Sequence, residues 1–249
     1  MFEITISSAK TKNKEISILI DKIRPKLKSL KAIMVCEDFD GRENLAIATK
    51  ESNKELLLSL IFDAIGEVII KTFKEQVLLE NLKNKIQDEI TLLTFVKALA
   101  MFDKVSDKEF IVSKLSPSKV INIDSLYYFR LWELTKRWVN VANLLSENSG
   151  YLMMCGAFND LMKFLVATND IEYGEVFLSL KNNMILAKGK DGTEVFNVSY
   201  NNDDNCKIKV VSELISLSPT KIILSKDFKD LDVTKYLEFL YEGRVSILK

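Results

Sequence analysis

Apolar and polar positions alternate over residues 2–7, the period of a half-buried strand, and Ile16, Leu19, Ile20, Ile23 and Leu27 then recur at helical spacing. Pro25 is expected to kink or end that helix near Arg24, because proline has no N–H to give the preceding turn. Two apolar runs, 32–38 and 44–49, flank Asp40-Gly41, a dipeptide suited to a tight hairpin turn. Residues 1–52 therefore read as a β-α-β-β unit.

From 53 to about 86, Ser59, Asp63, Glu67, Lys71 and Lys74 fall near every fourth position and trace a narrow wet stripe on an otherwise apolar helix. Helical spacing returns over 89–102, 107–115, 126–145 and 152–167, with no repeat that would indicate a solenoid. At Ile171 the pattern changes to short strands, 175–180, 184–188 and 193–199, separated by Asn182-Asn183 and by Gly189-Lys190-Asp191-Gly192. The polar run at 201–205 reads as an exposed loop. There follow a helix through Ile208, Val211, Leu214 and Ile215, a strand at 221–224, an amphipathic helix marked by Val233, Leu237 and Tyr241, and a strand at 245–248. Gly243 stands where a helix C′ residue belongs. The strand-helix-strand ending predicts two parallel strands with a right-handed crossover. The expected fold is α+β: the β-α-β-β unit at 1–52, a helical body at 53–170, and an α/β unit at 171–249 whose mixed sheet is a β-meander followed by α-β-α-β.

Composition narrows the chemistry more than it narrows the fold. Thirty-five basic residues balance thirty-five acidic ones, so the global field that would draw nucleic acid or anionic lipid is absent. The chain has no histidine, which removes the commonest general base and the commonest ligand of catalytic zinc. Cys36, Cys155 and Cys206 are far apart, so neither a disulfide framework nor a zinc knuckle is expected. The N-terminal sequence lacks the basic and apolar regions of a signal peptide, and the most apolar stretch, 56–70, is interrupted by Ser59, Asp63, Gly66 and Glu67. A cytoplasmic protein with no membrane span, no cofactor and no metal is the expectation.

Four places nevertheless carry candidate chemistry. Glu37, Asp38, Asp40 and Glu43 cluster around Gly41, but not at EF-hand spacing, and a turn role outweighs a cation site. Asp203 and Asp204 sit in a run of polar residues that should leave both solvated, and Gly150 and Gly156 lack the Lys and Ser/Thr of a phosphate loop. The densest aromatic region, Tyr127, Tyr128, Phe129, Trp132 and Trp138, is interleaved with Arg130, Lys136 and Arg137, the mixture used by single-strand nucleic-acid platforms. On one regular helix Tyr128, Leu131, Leu134 or Trp132, and Trp138 would face the core, with Arg130, Glu133 and Arg137 on the wet side and Glu133 paired to Arg137. Arg130, Lys136, Arg137 and Arg244 are the candidate partner or nucleic-acid contacts, and Cys155 reads as a buried filler.

Three segments, INIDSLYYFRL at 121–131, VVSELISLSPTKIIL at 210–224 and EGRVSI at 242–247, with YLM at 151–153 between them, resemble the YtxC-like sporulation proteins of endospore-forming Gram-positive bacteria. Members of that family carry an acidic and aromatic stretch after the position of Tyr151-Leu152-Met153, where this chain has Met154-Cys155-Gly156-Ala157. The resemblance implies a cytosolic, sporulation-associated protein and supplies no catalytic residue. The expected role is therefore non-enzymatic binding of a protein partner, with nucleic-acid binding through the 127–138 helix as the alternative.

Overall fold

The computed structural model describes residues 1–10, 15–154, 157–169, 171, 173–201, 204–229 and 231–248. It is α+β, with a sheet near each end of the sequence, and it divides into two compact units. The first comprises Met1–Val77 and Asp103–Val141, the second Leu78–Phe102 and Ala142–Lys249. The helices of the 53–170 stretch, α3 (Glu75–Leu82) and α6 (Ile123–Ser125) among them, are thus shared between the units. Among the described residues, no helix is long and apolar enough to cross a membrane.

In the first unit, β1 (Phe2–Ala9), β2 (Ile33–Phe39), β3 (Arg42–Thr49) and β4 (Val120–Asn122) form a sheet of order β2-β3-β1-β4. The β2–β3 and β3–β1 pairs are antiparallel, and β1–β4 is parallel. Asp40 and Gly41 turn the hairpin with φ of 49° and 71°, a conformation that glycine takes without a Cβ penalty. Strand alternation sends Ile4, Ile6, Leu45 and Ile47 to one face, with Ile4 opposite Ile47 and Ile6 opposite Leu45. There they enter one buried cluster with Ile16, Leu19 and Ile23 of α1 (Glu15–Leu27) and with Leu57, Ile61 and Ile65 of α2 (Lys54–Ile69). Pro25 does not end α1 as expected. It costs the helix only the one N–H bond that Pro25 cannot give to the preceding turn, and buried Leu27 anchors the residues beyond it.

A charged network ties α1 and α2 to α5 (Lys104–Lys114). Lys22 of α1 donates to Glu67 of α2, while Lys108 of α5 reaches Glu67 at 3.2 Å and Asp63 at 2.6 Å. Gly66 permits this approach, since a Cβ there would lie 2.9 Å from Lys108 Cγ. Burial by itself would raise the Glu67 carboxyl, but the hydrogen bond and charge of Lys22, joined by Lys104 and Lys108, hold it down to about 2.

The second unit has a sheet of order β7-β6-β5-β8-β9, built from β5 (Tyr173–Lys181), β6 (Met184–Gly189), β7 (Glu194–Ser199), β8 (Pro219–Leu224) and β9 (Val245–Ile247). The first three form the expected antiparallel meander, and β5–β8 and β8–β9 are parallel. Val176, Leu178, Ile185, Ile222 and Leu224 share a buried cluster with Phe95 and Leu99 of α4 (Glu89–Met101), Met162 and Leu165 of α8 (Ala157–Thr168), Val210 and Leu214 of α9 (Asp204–Leu217), and Leu237 and Leu240 of α10 (Asp232–Leu240). Gly243 takes φ of 77° at the end of α10, as the sequence predicts. Arg244 then donates to the carbonyls of Val166 (3.1 Å) and Pro219 (3.5 Å) and stacks over Tyr241, fixing the last strand.

Two outcomes follow for stability. Replacing Gly243 by Val forces a β-branched residue into positive φ and is expected to cost about 1–3 kcal/mol, read as a lower urea midpoint. The folded Glu67 value lies below its ordinary 4.5, so its contribution is complete above that pH and is lost as pH falls toward 2. Glu67→Gln should therefore flatten the fall in urea midpoint between pH 4.5 and 2 relative to the parent chain.

Candidate functional site

Two helical stretches of the first unit each contain a π-helical turn, Ile70–Lys74 after α2 and Leu126–Arg130 before α7 (Trp132–Met154). A π turn inserts one residue into the α-helical repeat and so rotates the side chains that follow. The two turns meet where Phe73 stacks on Tyr127, ring centroids 4.1 Å apart and 27° between planes.

On the Ile70–Lys74 side, the insertion swings Lys74 off the wet stripe and into the interior, correcting the sequence expectation. Ser59, Asp63 and Lys71 stay exposed and Glu67 is half-buried, but Lys74 is 4% exposed. Its Nζ lies 2.7 Å from Asp107 Oδ2, which also accepts from Trp138 Nε1 at 2.8 Å. Burial pulls the Lys74 ammonium below its ordinary range, and the Asp107 carboxylate acts in the opposite direction. This buried cluster fixes α7 against α5.

On the Leu126–Arg130 side, Asn122 caps the turn through Oδ1, accepting from Ser125 N–H at 3.0 Å, and Ile123, Leu126 and Tyr127 turn inward. On a regular helical repeat Tyr127, Leu131, Leu134 and Trp138 already share one stripe (i, i+4, i+7, i+11), and it is Tyr127 rather than Tyr128 that joins the core. Leu131 (φ −109°, ψ 16°) closes the π turn; Leu131, Leu134 and Trp138 lie in the core as expected, and Tyr128, Phe129 and Trp132 face outward, 67%, 78% and 59% exposed. The expected Glu133–Arg137 pair does not form either. Arg137 lies over the Phe110 ring at 4.8 Å, and Lys114 Nζ lies at the same distance from that ring.

The aromatic ridge borders a groove of about 480 Å³ lined by Leu115, Ser116, Ser118, Val120, Asn122, Ser125, Phe129 and Arg130. One wall is β4, the outer strand of the sheet. Arg130 donates to the Lys114 carbonyl at 3.3 Å and is the charged side chain of the lining; the remaining polar groups are hydroxyls and an amide. Behind the groove, Asp124 Oδ2 accepts from Arg42 at 2.7 Å and from the Ala9 N–H at 2.8 Å, which locks the segment after β4 to β1 and β3.

Of the candidate contacts, Arg130, Lys136 and Arg137 are exposed in this region, whereas Arg244 belongs to the second unit and is committed to backbone carbonyls. Val120 and the hydroxyl-lined wall do not stand out in the sequence; Asn122 ahead of Ser125 is an N-cap signal that marks the turn between strand and helix. At the acidic hairpin, Asp38 accepts from Lys10 at 2.7 Å and Asp40 forms the turn. Among the described residues no three His, Cys, Asp or Glu side chains converge. Cys155, Gly156 and Asp203 lie outside the described residues; Gly150 falls within α7 and Asp204 opens α9. Cys36 is exposed and Cys206 buried. In the second unit a groove of about 360 Å³ gathers Asp88, Lys207, Asp232 and Tyr236, with Lys207 and Asp232 paired at 3.7 Å.

No protein-family model, no curated protein and no solved structure matches this chain.

The Asp107 cluster can be tested by double replacement. Asp107→Asn removes the carboxylate beside a buried ammonium and is expected to cost about 3–5 kcal/mol in a urea titration. Adding Lys74→Met should recover most of that loss, because the introduced amide oxygen can still accept from Trp138 while the buried cation is gone.

Proposed function

We propose that this chain is a non-enzymatic, sporulation-associated cytoplasmic protein that acts by binding a protein partner through Tyr128, Phe129, Trp132 and the adjoining groove. The observation that carries the reading is three large aromatic side chains exposed next to a groove that holds one arginine. Tyr, Trp and Arg dominate the binding energy of protein interfaces, and burying each large apolar side chain is worth about 1.5–3 kcal/mol. The serine and asparagine side chains of the groove suit the backbone of a docked polypeptide. The sporulation association rests on the resemblance at 121–131, 210–224 and 242–247, and the first of these segments runs from β4 through the π turn.

A second reading, binding of single-stranded nucleic acid, is favoured by one observation: Tyr128 and Trp132 face solvent, where bases could stack, and Arg137 is not held by Glu133. Balanced net charge and a groove lining with a single charged side chain, Arg130, favour the protein partner.

The test uses a Phe129→Ala/Trp132→Ala chain, which should melt with the parent because both side chains are exposed. Affinity capture from sporulating cells is expected to return a partner with the parent chain and to lose it with the variant. Single-stranded oligonucleotides should bind no tighter than about 10⁻⁴–10⁻⁶ M at physiological salt. Nanomolar oligonucleotide binding, abolished by Arg130→Glu with Arg137→Glu, would establish the second reading instead.

A further inference from the structure

The sheet of the first unit ends on its other side at β2, and the geometry points to that edge as a self-pairing surface: we infer that two copies of this chain join β2 to β2 in antiparallel register about a two-fold axis at Cys36. Open sheet edges are ordinarily blunted by proline, a bulge, charged side chains, above all lysine, or shortness, and of these β2 carries only the carboxylates Glu37 and Asp38. β2 is seven residues long, contains neither proline nor lysine, and pairs with β3 in unbroken register. Ile33, Val35 and Phe39 project from one face, 69%, 54% and 75% exposed.

The phase of the hairpin decides which backbone groups are available. In a two-residue turn, the flanking pair Phe39–Arg42 is hydrogen-bonded, so Ile33, Val35, Glu37 and Phe39 direct their N–H and C=O toward β3. Met34, Cys36 and Asp38 therefore direct theirs toward the open edge. An added antiparallel strand must bond to those three residues.

A second β2 fits this demand in a particular register. With Cys36 opposite Cys36 of the second copy, all seven residues of each strand are paired. Ile33 meets Phe39, Val35 meets Glu37 and Met34 meets Asp38, each pair occurring twice. The apolar side chains of the two open faces then form one continuous band. Charge selects the same register: Glu37 faces an apolar residue rather than its own copy, Asp38 is already neutralised by Lys10 at 2.7 Å, and exposed Lys31 comes beside the Asp40-Gly41 turn of the other copy. Centring the axis on Glu37 instead would oppose the two Glu37 carboxylates and shorten the overlap.

The test is register-specific. Sedimentation equilibrium of the parent chain should return a dimer. Ile33→Lys with Phe39→Lys places lysines opposite each other across the interface and should weaken the dimer at least about tenfold, equivalent to about 1.4 kcal/mol. Ile33→Lys with Phe39→Glu places Lys opposite Glu at the same two sites and should restore it. Cys36→Pro removes a donor that points outward, so it should keep the circular-dichroism spectrum of the folded chain while abolishing the dimer, with a melting temperature that no longer rises with protein concentration. The two Cys36 Cα atoms would lie about 5.5 Å apart, within disulfide range, so oxidation by diamide should link two copies in the parent and not in Cys36→Ser. A parent chain that sediments as a monomer, equal behaviour of the two charged variants, or a covalent dimer that survives Cys36→Ser would overturn the inference.

Discussion

A helix that takes in one extra residue must rotate everything beyond it, and the stacking of Phe73 on Tyr127 is where two such insertions lock each other. The geometry of the first unit's surface depends on this contact. On one side the rotation carries Lys74 inward to Asp107, and on the other Tyr127 packs in against Phe73 while Tyr128, Phe129 and Trp132 face out. Burying an ammonium and a carboxylate together is costly unless geometry and hydrogen bonds are good. Here one carboxylate oxygen accepts from both Lys74 and Trp138, which makes the same costly pair a determinant of how α5 and α7 meet.

This explains which parts of the structure were legible in the sequence. Alternation at 2–7, the Asp40-Gly41 turn, the three-stranded meander and the glycine after α10 were readable because each rests on local stereochemistry: period two, or a positive φ that glycine tolerates. The candidate site was legible as composition and not as geometry. Arg130, Tyr128 and Trp132 stand out in the chain, but the core stripe runs through Tyr127, Leu131, Leu134 and Trp138 rather than through Tyr128, and the groove beside them depends on β4, which no local pattern marks. β4 was missed because three residues are too few for a period to show, and its pairing with β1 is decided over a long sequence separation. Pro25 does not terminate the helix because it removes one N–H bond to the preceding turn while the residues after it can stay helical, and Leu27 is buried in the core beyond it.

Both units bury polar groups. The first satisfies its buried Asp107 from two donors but leaves the Ser8 hydroxyl without a hydrogen-bond partner, and in the second the Tyr241 hydroxyl is likewise buried without one. Full burial pushes the Tyr241 phenol far up, so it stays neutral and behaves as a large core side chain, with Arg244 stacked on its ring. Apolar packing and the carbonyl contacts of Arg244 hold the second unit's end.

The parallel pairing of β1 with β4 has a consequence during synthesis. β1, β2 and β3 lie within the first 49 residues, yet the strand that completes the β1 side begins at Val120. At about 5–20 residues per second, a ribosome leaves that inner edge without its neighbour for several seconds after the hairpin has emerged. The nascent chain therefore carries two bare strand edges where the finished protein keeps one long one. A factor that shields extended backbone early in translation would raise the yield of folded chains without altering the stability of the finished molecule.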